Sequence, residues 1–232
     1  TYNERELQRA GYRTTAVAPV LVDLDGLRAA SDQAVEERLR AAKTDGGRDW
    51  LFVGRLSPNK AQHDLIKALA VHRRLYDDRA RLHLVGSSSS AAYTAALRDF
   101  AVALGLGDAV FLHHGVPAGT LAAHYRSADV FVCLSEHEGF CVPLLEAMHH
   151  RLPIVALAAA AVPETLGDAG VLLPGKHPVL VAAAAHRVTT DAALRAALVE
   201  AGVARLDRFT LDRARNAFRD ALLPLIDEGG TQ

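Results

Sequence analysis

Cysteine is scarce. Only Cys133 and Cys141 occur in 232 residues, so a disulfide framework is excluded as the source of stability and both read as reduced, buried thiols. Long hydrophobic runs are missing too. No apolar stretch approaches the roughly 20 residues that span a bilayer, and the opening TYNERELQRAGYR lacks the apolar core of a signal peptide. The expected setting is the cytoplasm, with no membrane span. Neither sign of charge dominates: 26 Lys and Arg stand against 27 Asp and Glu, a formal net charge of -1, and the arginines are scattered instead of forming a stripe. Nucleic acid therefore has no electrostatic footprint here.

Several motifs are absent. There is no GxxxxGK[ST], no strand leading into GxGxxG, no HExxH and no Cys/His quartet, which counts against mononucleotide hydrolysis, dinucleotide redox chemistry and metal catalysis. Five of the eleven histidines, His113, His114, His137, His149 and His150, fall near strand ends or an acidic stretch, yet no metal-ligand spacing joins them. The triplet DLD at 23–25 arises too easily by chance to mark a metal site. No metal is expected.

What is present is a repeat of strand and helix. With 50% hydrophobic residues the chain has ample material for a core. Short runs that are apolar on consecutive residues recur at 50–54, 81–86, 109–115, 129–135, 153–158 and 169–175. Such continuity marks strands covered on both faces, as in a parallel sheet. Amphipathic stretches at 60–77, 91–104, 117–127, 142–150 and 162–167 fill the gaps, and alanine- and arginine-rich helical segments continue to about 226. The alternation predicts an α/β fold, a doubly wound open parallel sheet with a helical C-terminal end, and ligands bind such sheets beyond the carboxyl ends of the strands. The first 47 residues break the pattern: one helix over TYNERELQRAGYR, one extended apolar stretch over TTAVAPVLVDL, and a polar helix at about 30–44. They read as the remnant of a preceding domain plus a linker, with the sheet domain over 48–232. Trp50 and Phe52 read as core.

The chemistry gathers after the strands. In SEHEGFCVPLLEAM (135–148), Glu138 and Glu146 are eight positions apart, which on one helix would leave them roughly 80° apart around the axis. They would not share a face. Glycine suits a bend and proline a helix's first turn, so the helix is expected to begin near Cys141 to Pro143, with Glu138 on the loop before it and Glu146 in its second turn. Both acids could then enter one cleft from different supports. After the first strand, GRLSPNK places Arg55 past the strand and Lys60 where the next helix should start. A guanidinium, an ammonium and a helix N-terminus together suit a diphosphate, although cations in turns are often only solvated.

In order, GRLSPNKAQHDLIKAL, LHLVG, YRSADVFVCLSEHEGFCVPLLEAM, PIVAL and VPETLGDAGVLL resemble the nucleotide-sugar-binding half of retaining GT-B glycosyltransferases of the family 4 type. The likeness covers nearly all of residues 50–175, and Glu138-GFCVPLL-Glu146 looks like that family's paired-glutamate signature. NERELQRAGYR and VAPVLVDLD resemble the end of an N-terminal acceptor domain and its link, most of that domain being missing. The resemblance implies that Arg55 and Lys60 hold the diphosphate of a nucleotide sugar, that Glu146 binds the ribose, and that Glu138 faces the donor sugar. It also implies that the amides of Gly139, Phe140 and Cys141 bind sugar hydroxyls or phosphate, and that the base lies near Gly86 and His114–Val116. Arg55, Lys60 and Glu138 would carry catalysis. A divalent metal would be dispensable, and no cofactor beyond the donor is implied.

Three departures qualify this. Ala61 stands where the family often has glycine, Ala160-Ala161-Val162 replaces a glycine pair before Pro163 and Glu164, and the acceptor-side partner cannot be located. The acceptor would be a glycan, a lipid or a small molecule. Two other readings stay open: a non-catalytic module of the same fold that holds nucleotide or protein, and a sugar-nucleotide epimerase.

Overall fold

The computed structural model describes residues 1–18, 20–43 and 46–229, with the side chains of 25, 28, 29 and 224–229 left aside. Six strands form one sheet: β1 (Asp49–Val53), β2 (Arg81–Val85), β3 (Val110–His113), β4 (Val130–Cys133), β5 (Ile154–Leu157) and β6 (Val171–Leu173). Their order is β3-β2-β1-β4-β5-β6, and every neighbouring pair is parallel. The chain runs outward from β1 to β3, returns, and builds the other half from β4. The strand order thus reverses between β1 and β4, which opens a crevice at their carboxyl ends.

Both faces of the sheet are covered. Trp50 and Phe52 of β1, Val130 and Val132 of β4 and Val155 of β5 enter one buried cluster with Leu65, Ile66 and Leu69 of helix α4 (Gln62–Leu75) and Val181 and Ala185 of α9 (Pro178–Thr190). Leu51, Phe131, Ile154 and Ala156 point the other way. They pack with Tyr125 of α6 (Ala118–Ser127), Leu144 and Leu145 of α7 (Val142–His149) and Val162 of α8 (Val162–Leu166). Alternate residues of each strand therefore reach two separate cores, which is why the strands read as unbroken apolar runs. Each large side chain withdrawn from water contributes about 1.5–3 kcal/mol before the entropy of ordering is subtracted.

The remaining helices are α1 (Tyr2–Arg9), α2 (Leu24–Ala29), α3 (Gln33–Ala41), α5 (Ala91–Ala103), α10 (Ala192–Leu206) and α11 (Leu211–Gly229). Near the N-terminus the structure departs from expectation. The first helix stops at Arg9, with Gly11 at φ +98° beyond it, and among the described residues the apolar stretch after it joins no strand. Val17, Val20 and Leu21 stay exposed, so no neighbouring strand supplies the ladder that an extended segment needs. The polar helix expected at 30–44 is the shorter α3, capped by Asp32. Thr120 donates to Asp32 Oδ2 at 2.7 Å and Arg126 pairs with Glu36 at 2.7 Å, tying α3 to α6. No described helix is long and apolar enough to cross a membrane.

Candidate active site

Two turns meet at the crevice. After β1 the chain passes Gly54 and Arg55, makes a short 3-10 turn over Pro58–Lys60, and reaches Ala61 in the left-handed region (φ +54°, ψ +37°) before α4 starts at Gln62. The helix expected from residue 60 thus begins two residues later. Proline can start the tight turn but cannot donate within it, and the left-handed Ala61 then resets the direction of the chain. Gln62 Nε2 donates to the Arg55 carbonyl at 2.9 Å, fixing the turn from inside.

After β4 comes Ser135-Glu136-His137-Glu138, then Gly139, Phe140 and Cys141. Helix α7 opens at Val142 with Pro143 in its first turn and Cys141 as a left-handed N-cap (φ +69°). The helix start agrees with the sequence, and so does the loop position of Glu138. The Glu136 amide donates to the Asn59 carbonyl at 2.9 Å, joining the two turns directly. Lys60 Nζ lies 2.6 Å from Glu138 Oε1, with side chains 18% and 13% exposed. This pair, from opposite halves of the sheet, is the centre of the site.

Around it the loop carbonyls are already engaged. The Glu138 carbonyl accepts from the Ala161 amide (3.2 Å), the Gly139 carbonyl from Asn3 Nδ2 (2.7 Å) and the Phe140 carbonyl from Thr165 Oγ1 (2.6 Å). The amides of Gly139, Phe140 and Cys141 donate to no group among the described residues, so they remain available at the start of α7. Arg55 is exposed and makes no ion pair among the described residues. Beside Gly139 and Phe140 lies a cleft of about 530 Å³, bounded also by Asn3, Leu7, Val17 and Glu164.

Glu146 projects from the second turn of α7 as expected, but its carboxylate is engaged. The Tyr125 hydroxyl donates to Oε2 at 2.6 Å. Burial raises the Glu146 carboxyl above its ordinary range, and the Tyr125 hydrogen bond offsets part of that. Burial and the adjacent carboxylate push the Tyr125 phenol far up, so it stays protonated as the donor. Cys141 is buried, its Sγ 4.0 Å from that of Cys133, and both thiols are free. Its side chain thus faces inward and only its amide can serve the cleft.

Gly86 and His114 stand farther along the edge. Gly86 follows β2 directly against the neighbouring turn: a Cβ there would meet the Gly54 carbonyl oxygen at 2.0 Å. His114 is exposed and borders an open cleft of about 470 Å³ with Ser88, Ser90, Thr94 and Arg98. Sequence reasoning passed over Lys176, from the turn after β6, which joins Asp64 (2.7 Å) to Glu136 (2.6 Å). Burial lowers its pKa, but the two carboxylates outweigh that and raise it. Its place in a strand-end turn was the one available signal.

Residues 35–205 match the family described as "Glycosyl transferases group 1". The chain belongs to that family. Among its relatives is the D-inositol 3-phosphate glycosyltransferase of Geodermatophilus obscurus, 36% identical over 202 residues, which cover 83% of this chain and 43% of the relative. The enzyme of the same name from Streptosporangium roseum is 34% identical, over 81% of this chain and 44% of its own length. The chain therefore spans less than half the length of these relatives. Similar solved structures include Anabaena HepE in complex with UDP and glucose, with a TM-score of 0.82 at 23% identity over 94% of this chain and 60% of that one. The C-terminal domain of a group 1 glycosyl transferase from Francisella tularensis aligns over 80% of this chain and 96% of its own, with a TM-score of 0.65 at 22% identity. These two likenesses show the GT-B type of fold.

Proposed function

We propose that this chain is the donor-binding part of a retaining glycosyltransferase that takes its sugar from a nucleotide diphosphate. The observation that carries the reading is the Lys60–Glu138 pair at the β1/β4 crevice. The complex of HepE with UDP and glucose, in the same fold, supports it.

The charges suit the reaction. Glycosyl transfer builds positive charge on the sugar ring and negative charge on the departing diphosphate, so fixed donors aimed at the diphosphate lower the barrier. Exposed Arg55, Lys60 and the amides at the start of α7 would supply them without a divalent metal. In the free protein Lys60 is occupied by Glu138. An arriving phosphate competes for the ammonium, and its engagement frees the Glu138 carboxylate to face the sugar. Glu146, held by Tyr125, would offer its remaining lone pairs to the ribose. The cleft near His114 would take the base. A glycan, lipid or small molecule is the acceptor class, met by a preceding domain in the longer protein.

Calorimetric titration with UDP tests the phosphate seat. Arg55→Ala and Lys60→Ala should each weaken binding about tenfold or more, the scale of a lost charge-assisted hydrogen bond. Affinity unchanged in both would remove the claim. Glu138→Ala, which removes the competitor for Lys60, should leave nucleotide affinity at or above wild type while abolishing transfer by the full-length enzyme. Retained transfer would instead favour a role for Glu138 outside the chemistry.

A further inference from the structure

Away from the crevice, three imidazoles converge on one face of the sheet: His83 from the middle of β2, His113 from the end of β3, and His124 from α6 above them. Parallel pairing places His83 and His113 on the same side, since Val85 is the partner of His113 and shares the face of His83. His83 is 7% exposed and His124 3%. One ring nitrogen from each lies within 4.8 Å of the other two, and His83 Nδ1 is 3.2 Å from His113 Nε2. Nothing in the proposed sugar transfer uses them.

We infer that His83, His113 and His124 form a site for a zinc-class divalent cation that pins the edge strand β3 to β2 and to α6. A tetrahedral ion with metal–nitrogen bonds of about 2.0–2.1 Å holds its ligand nitrogens roughly 3.3 Å apart, a spacing the His83–His113 pair already has, with a His124 nitrogen within 4.8 Å of both. Asp49 gives the second reason. It shares the face of His83, and its Oδ1 lies 3.7 Å from His83 Nε2, the nitrogen opposite the one that faces His113. Ligating histidines ordinarily hold their outer N–H against a carboxylate in this way, which fixes the tautomer and raises ligand basicity. Asp49 is itself held by Arg81 Nε at 2.7 Å and Lys43 Nζ at 3.6 Å. His83 Nε2 is buried and has no hydrogen-bond partner at its present distance, a deficit that a few tenths of an ångström would remove.

Ser127, whose buried hydroxyl has no hydrogen-bond partner, packs beside His83, His124 and Asp49 on the same interior face. On binding, the proton shared between His83 and His113 moves to an outer ring nitrogen, so no net charge is lost from the pair. A set of neutral imidazoles suits zinc or cobalt over magnesium or calcium, which prefer oxygen.

The experiment uses the 232-residue chain with zinc and cobalt salts. Zinc supplied in excess should remain at about one equivalent after gel filtration, and bound cobalt should show a nitrogen-only spectrum without a thiolate charge-transfer band. His113→Gln should weaken zinc at least tenfold in chelator competition, as should Asp49→Asn through loss of the orienting carboxylate. His114→Gln, one residue along and exposed, should leave affinity unchanged. If the buried variants fail to fold, X-ray absorption on the wild-type zinc form decides by itself, with imidazole scattering expected. No retained zinc, sulfur in the coordination sphere from Cys133 and Cys141, or undiminished affinity in folded His113→Gln would overturn the inference.

Discussion

Glu146 shows how one buried acid can be read through its titration. Burial raises its pKa in the folded chain, so the native state prefers the protonated form. The sign follows: with the folded pKa above the unfolded value of about 4.5, the penalty is absent at low pH and grows as pH climbs through the unfolded value to the raised one. Glu146→Gln removes the titration. In urea unfolding the variant should gain on wild type as pH rises through that window, and a difference independent of pH would contradict it. Asp49 behaves oppositely. Burial raises its pKa, but hydrogen bonds and charge from His83, Arg81 and Lys43 together outweigh burial and lower it. Its contribution is present above the unfolded carboxyl range and is lost as pH falls toward the depressed value. Asp49→Asn, which removes the carboxylate paired with the largely buried Arg81 while Lys43 keeps Asp129 at 2.7 Å, should cost about 3 kcal/mol by the same measurement.

At the scale of elements, two glycines offer a contrast. A methyl at Gly86 would collide with the backbone of Gly54, at the point where β1 hands the chain to the Arg55 turn. Backbone cannot yield as a side chain can, so Gly86→Ala should destabilise by about 2–3 kcal/mol and weaken nucleotide binding with it. At Gly115 (φ +60°) the added Cβ meets nothing within 4 Å, and the cost should be only the backbone term of about 1 kcal/mol. Denaturant midpoints of the two variants make the comparison, and equal losses would show that close approach at Gly86 is not the constraint.

The elements also show what was legible in the sequence. All six strands were, because burial on both faces writes itself as consecutive apolar residues. The start of α7 was legible from Gly139 and Pro143. The stretch after α1 misled, because apolarity says nothing about whether a neighbouring strand exists to pair with. Within the candidate site, the approach of Lys60 to Glu138 rested on the topology that the strand pattern predicted. The Tyr125–Glu146 bond was invisible, since it joins two helices whose residues are 21 apart and share no local spacing. The histidine triad was equally hidden: the sheet register brings His83 to His113, and only the packing of α6 on that face adds His124.

For the whole molecule, the decisive property is that the turns after β1 and β4 meet, through Lys60 with Glu138 and Glu136 with Asn59. Ligand that binds only the folded chain stabilises it by about 2.7 kcal/mol at a hundred times its Kd. On the proposed function, the thermal unfolding temperature with UDP should therefore rise well above that with uridine, since the diphosphate would engage Arg55 and Lys60 and the nucleoside would not. Equal shifts would place the affinity in the base alone.

The amide of Glu136 reaches across to the carbonyl of Asn59, the product of two turns 77 positions apart along the chain. That single proton is a reporter of whether the halves are docked. Its exchange with deuterium should track the slowest opening of the sheet between β1 and β4, slower than at exposed loop amides such as that of His114, and UDP should retard it further. Exchange as fast as at His114 would mean that the crevice breathes on its own, independently of the strands beneath it.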